Sequence, residues 1–146
     1  MTLLSIYIHI EGSNHCVGKL KKYSKWKIHI VNGYTNAEAA YVAAQATMTE
    51  RYGKGNKKQL ESGDNNSTDP VQKLAGIEVS YSYEATYKSG ATNSVHDYYL
   101  IETFTYKQDG KVARWYRNGS KDGDGDTAAP GGWVVADSES DLPDSK

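Results

Sequence analysis

"IETFTYKQDGKVARWYR", residues 101–117, is two alternating runs joined at Asp109-Gly110. In the first run Ile101, Thr103 and Thr105 fall on one face, and Glu102, Phe104 and Tyr106 on the other. In the second, Val112, Arg114 and Tyr116 alternate with Ala113, Trp115 and Arg117. Period-two alternation on both sides of Asp-Gly is the strongest short-range hairpin signal. Both faces carry aromatics and charge, so the pattern leaves open which of them lies inward.

Upstream, residues 77–88 alternate more cleanly. Ile77, Val79, Tyr81, Tyr83, Ala85 and Tyr87 line one face, against polar residues on the other. Such alternation means one side buried and one side wet. A Lys-Ser-Gly-Ala turn then leads into a long strand expected over about 94–107, so that three antiparallel strands form a meander. Before them, Thr35-Asn36-Ala37-Glu38 has the form of a capping box, and Ala37, Ala40, Tyr41, Ala44, Met48 and Tyr52 recur at helical spacing up to Gly53. Residues 54–68 read as loop, and Asp69-Pro70 through Gly76 as one helical turn with proline at its first position. Residues 3–10 and 26–31 read as strands, and Cys16 to Tyr23 as an ambiguous segment.

The fold class that follows is α+β: a curved antiparallel sheet packed on one main helix. A single helix fills only part of a curved sheet's concave side, which implies a central pocket. The expected division is one domain over residues 1–118 and a mostly flexible acidic tail over 119–146. That tail holds seven acidic residues against two lysines, which leaves the remainder at +4. Within it, Trp133-Val134-Val135 is a candidate edge strand.

Composition narrows the function classes. A net charge of -1 argues against an electrostatic nucleic-acid binder. Mean hydropathy is -0.71, and no apolar run approaches the ~20 residues of a spanning helix, so no membrane partner is expected. The N-terminus reads as a poor signal peptide. One cysteine, Cys16, excludes an intrachain disulfide and a cysteine-based zinc site, and a cytoplasmic location is the expectation. Asp122-Gly-Asp124-Gly-Asp126 begins like a calcium loop, but Thr127 and Trp133 stand where glycine and glutamate are required. No metal site and no cofactor is implied.

"KKYSKWKIHIVNG" followed by "TNAEAAYVAAQATM" resembles the linker, first strand and third helix of the nuclear transport factor two-like superfamily, the cone-shaped fold of SnoaL-like cyclases and ketosteroid isomerase. "GIEVSYSYEATYKSGATNSVHDYYLIETFTYKQDGKVARWYRNGSKD" resembles its closing strands. The resemblance covers residues 20–122. Members usually begin with two helices, whereas residues 1–15 here read as strand. The resemblance implies a site on the strand faces lining the cone, and dimerisation through the sheet. Where the isomerase carries its aspartate base, Ile28-His29-Ile30-Val31-Asn32-Gly33 has no acid. His29 is the titratable group there, and a strand histidine without chemistry is the plainer reading.

The long strand supplies the other candidates. His96, Tyr98, Leu100, Glu102, Phe104 and Tyr106 alternate onto one face, with Arg114 and Tyr116 on the next strand. An imidazole, a phenol and a carboxylate beside apolar residues suit a small-molecule site. Glu102 or His96 would be the base, with Tyr98 or Tyr116 the donor. His29, Phe104, Arg114, Tyr116, Tyr81 and Tyr83 would line the ligand. The competing register turns Tyr99, Ile101, Thr103 and Thr105 inward and leaves this set in solvent. Phe104 and Leu100 favour the first, and even there Glu102–Arg114 reads equally as a plain cross-strand ion pair. The expected function is binding of a small hydrophobic or aromatic molecule. Any catalysis would be cofactor-free acid–base chemistry such as isomerisation, cyclisation or dehydration. The alternative is a non-enzymatic interaction module that dimerises through the open sheet face.

Overall fold

The computed structural model describes residues 31–146, with side chains from Tyr34 onward. The strands expected over 3–10 and 26–30, the segment Cys16 to Tyr23, and His29 lie outside the described residues.

Helix α1 runs Val31–Gly53. It is already helical at Thr35, so the expected capping box lies inside the helix, and Val31, expected in a strand, is helical. The helical spacing places its faces correctly. Of the residues so spaced, Ala37, Ala40, Ala44 and Met48 are buried, Tyr41 is half-buried and Tyr52 at the C-terminal end is exposed. The alanines let the backbone lie close to the sheet. Strand β1 (Ser62–Asp64) forms where only loop was expected. Helix α2 (Pro70–Ala75) is capped by the Asp69 side chain, starts on proline and ends on left-handed Gly76, as expected.

The strands that follow are β2 (Ser82–Tyr87), β3 (Ile101–Gln108), β4 (Lys111–Tyr116) and β5 (Gly132–Ala136). They join β1 in a five-stranded antiparallel meander whose spatial order is the chain order. The β3–β4 turn has Asp109 at φ 52° and Gly110 at φ 74°. Two successive left-handed residues are what a two-residue hairpin of this kind demands. The long strand expected over 94–107 is shorter at its start, because His96–Tyr99 form a 3-10 turn.

One irregularity settles the question of register. Thr86 pairs with Thr103 but Tyr87 pairs with Ile101, so Glu102 is an extra residue in β3. Such a bulge shifts the alternation by one. Phe104 and Tyr106 face α1, as the first register requires, yet Tyr99 and Ile101 join the same core, as the second requires. Thr103 and Thr105 are buried on the opposite face, opposite Tyr116 and Arg114 in β4.

The two faces pack differently. Toward α1 lies an aromatic core in which Tyr83 stacks on Phe104 and Tyr81 on Tyr106. On the far face a second cluster joins Tyr116, Ala128 and Val134, with Leu142 against it. The segment 119–146 is therefore largely built into the fold, contrary to a mostly flexible tail. Trp133-Val134-Val135 lie in β5, Ser120 bridges to Ser145, and the Tyr116 hydroxyl donates to the Pro143 carbonyl at 2.8 Å. Composition hides this, because the Gly- and Asp-rich stretch before β5 reads as unstructured.

Candidate functional site

The alternation expected to align His96, Tyr98, Glu102 and Phe104 is broken by the 3-10 turn and the bulge. His96 is exposed, its ring 4.8 Å from that of Tyr52. The Tyr98 hydroxyl donates to the Lys57 carbonyl at 3.1 Å. Glu102 accepts from the Asn118 side chain. Arg114 donates to the Thr105 hydroxyl and to Glu139, not to Glu102, so the expected cross-strand ion pair does not form. The four groups named as base or donor thus engage four different partners: His96 the Tyr52 ring, Tyr98 the Lys57 carbonyl, Glu102 the Asn118 side chain and Tyr116 the Pro143 carbonyl.

The ligand-lining residues are divided by the sheet. Tyr81, Tyr83 and Phe104 face α1, whereas Arg114 and Tyr116 face away. The tyrosines spend their hydroxyls on the scaffold: Tyr81 donates to Gln72, Tyr83 to Asp69 and Tyr106 to Gln108. Burial first, then Asp69 and Asp64, pushes the Tyr81 phenol up to about 12. Burial holds Tyr83, Tyr87 and Tyr106 higher still.

A different group of residues gathers polar capacity between α1 and the sheet. The Tyr41 ring stacks on Trp115 with centroids 4.2 Å apart, and meets Phe104 and Trp133 edge-on. The Arg117 guanidinium lies 5.4 Å from the Trp115 ring centre. Its Nε donates to the Ile101 carbonyl at 2.6 Å, but its Nη2 is buried without an acceptor among the described residues. Gln45 is one turn beyond Tyr41 on α1, and its buried Oε1 likewise has no donor. Burial raises the Tyr41 phenol, and the Arg117 charge partly opposes that rise.

Leaving such a buried group unmatched costs roughly 1–3 kcal/mol, so each calls for a partner such as a water, an ion or a ligand. Alternation alone places Arg117 beside Trp115 on one face. What it does not give is the distance to α1, which is why Arg117, Gln45 and Tyr41 are absent from the candidates read from sequence. Among the described residues, no group of three or more His, Cys, Asp or Glu side chains is arranged to hold a metal ion. No described helix is long and apolar enough to cross a membrane. Comparison with protein-family models, curated proteins and solved structures finds no match for this chain.

Proposed function

We propose that this chain binds a small aromatic molecule between α1 and the sheet, and acts there as a binding protein rather than as an acid–base catalyst. The observation that carries the reading is the buried, unmatched Nη2 of Arg117 beside the Tyr41–Trp115 stack. A guanidinium N–H in a low-dielectric setting favours an acceptor oxygen strongly, and aromatic walls favour a flat ligand. A carboxylate or carbonyl on an aromatic frame satisfies both. The location agrees with the strand faces on which the resembled superfamily carries its sites. The dispersal of His96, Tyr98 and Glu102 supports binding over turnover. Self-association through the sheet is the other reading, but residues near Leu142 cover the far face over β4 and β5, which disfavours it.

A thermal-shift screen of aromatic carboxylates and ketones tests the proposal, because a ligand of the native state raises the midpoint. At least one such compound should raise it in the parent protein, with a much smaller rise in Arg117→Met and partial retention in Arg117→Lys. Binding that is indifferent to both substitutions overturns the site. Conversion of a bound compound that is abolished by Glu102→Gln overturns the non-catalytic reading.

A further inference from the structure

The face of the sheet turned away from α1 carries a groove of about 370 Å³ that the foregoing site does not use. Its floor is hydroxyl-rich: Thr103 and Thr105 are buried there and Thr86 beside them is exposed. Thr86 and Thr103 place their hydroxyl oxygens 2.6 Å apart, and the Thr105 hydroxyl accepts from Arg114 Nε at 2.6 Å. Each hydroxyl has one hydrogen to give. The Thr86–Thr103 pair spends one of its two on itself, and among the described residues Thr105 acts only as an acceptor. The floor therefore retains donors for a ligand oxygen.

The banks of the groove carry charge of both signs. Glu84 stands on β2, and Lys121 and Asp144 on the C-terminal segment, where the Lys121 N–H donates to the Asp144 carbonyl at 2.8 Å. Arg114 is met by Glu139 at 3.2 Å. Glu84, Lys121 and Asp144 make no ion pair among the described residues. One ammonium and two carboxylates thus border a floor of hydroxyl donors. Among the described residues no aromatic side chain lines the groove, so these residues offer neither a stacking surface for a sugar ring nor an apolar wall for a hydrophobic ligand.

We propose that this groove is a second binding site, for a small zwitterion of amino-acid or dipeptide size. The ligand carboxylate lies toward Lys121 and the threonine hydroxyls, and its ammonium toward Glu84 and Asp144. This site is on the opposite sheet face from Arg117 and stands or falls independently of it.

The test is titration of the intact chain with free amino acids and short dipeptides, followed by amide and methyl chemical shifts, with neutral polyols and simple monocarboxylates as the comparison. Zwitterions should shift Thr103 and Thr105 saturably at millimolar concentration. Lys121→Met and Glu84→Gln should each weaken binding by about two- to fivefold, since each removes one solvent-exposed charge pair. Both side chains are exposed, so the melting midpoint should not move. Equal or tighter binding of a polyol or monocarboxylate overturns the proposal. So does the absence of any saturable shift, or an affinity that neither substitution changes.

Discussion

Asp69 holds two elements at once. Its Oδ1 accepts from the Val71 N–H at 2.9 Å, capping α2, and both carboxylate oxygens lie 3.0 Å from the Tyr83 hydroxyl. The side chain thereby ties a short helix to the central aromatic core. Asp69→Ala removes the cap and leaves a buried phenol unmatched, for an expected loss of about 2–3 kcal/mol. Asp69→Asn keeps a capping oxygen and should lose roughly 1 kcal/mol. Chemical denaturation of the two variants measures the difference.

The same carboxylate explains the residue facing Tyr83 on β1. A Cβ on Gly63 would lie 1.8 Å from Asp69 Oδ2 and 2.5 Å from the Tyr83 hydroxyl. Gly63→Ala should therefore cost about 1–3 kcal/mol through forced displacement. Gly63→Ala combined with Asp69→Ala should cost less than the sum of the two, because the clash loses its nearest partner.

Alkali should unfold the protein by way of its buried phenols. A group whose folded pKa is raised contributes stability that is complete below its unfolded value and is lost as pH rises through the folded one. The ordinary tyrosine value is 10.0 and Tyr81 lies near 12, with Tyr83, Tyr87 and Tyr106 above it. Stability should decline from about pH 10 upward. Ultraviolet titration should show exposed tyrosines ionising first and the buried group appearing together with loss of tertiary structure. Smooth ionisation of all twelve without unfolding would contradict the packing described.

Acid should loosen the C-terminal segment before the core. Glu139 accepts from Lys107 at 2.6 Å and from Arg114 at 3.2 Å. The Lys107 hydrogen bond, assisted by both positive charges, holds its carboxyl below the usual range. A depressed carboxylate contributes stability above its unfolded value of about 4.5, lost as pH falls through the folded value. Amide protection over 138–146, relative to the intrinsic exchange rate at each pH, should therefore fall below about pH 4.5, and Glu139→Gln should show the lower protection already at neutral pH.

Two neighbours on β3 should separate packing from charge. Phe104 is fully buried, and Phe104→Ala should cost about 3–5 kcal/mol. Glu102→Gln keeps an oxygen for Asn118 at the strand end, and should change stability by less than about 0.5 kcal/mol. Parallel thermal melts decide both.

How much of this was legible in the sequence differs by element. Asp69, Pro70 and Gly76 each specify a conformation by local chemistry, and α2 formed between them as read. Asp109-Gly110 did the same for the β3–β4 turn. The start of α1 was misplaced because Thr35 and Glu38 satisfy a capping pattern that the interior of a helix also accommodates. The bulge at Glu102 left no local signature: period-two reading assumes an unbroken phase, and only pairing with β2 reveals the extra residue. That extra residue and the 3-10 turn at His96–Tyr99 together dispersed the candidate site, since neither keeps the alternate positions before Phe104 on one strand face. The orphaned Arg117 Nη2 and Gln45 Oε1 depend on packing between elements, which no single-strand pattern encodes.

Ser120 gives the acidic loop a closed neck. Its N–H donates to the Ala128 carbonyl at 2.9 Å, its hydroxyl accepts from the Ala128 N–H at 2.8 Å, and the side chain is buried. Gly119 holds the approach with φ 81°, where a Cβ would meet the Ala128 carbonyl at 2.8 Å. Residues 121–127 thus leave and re-enter the fold at one point, with Lys121 also held to the Asp144 carbonyl. Lengthening such a loop adds only about 0.6 kcal/mol per doubling. Gly123 and Gly125 consequently mark a place where a peptide tag or a whole reporter domain can be inserted with both of its ends anchored on this scaffold.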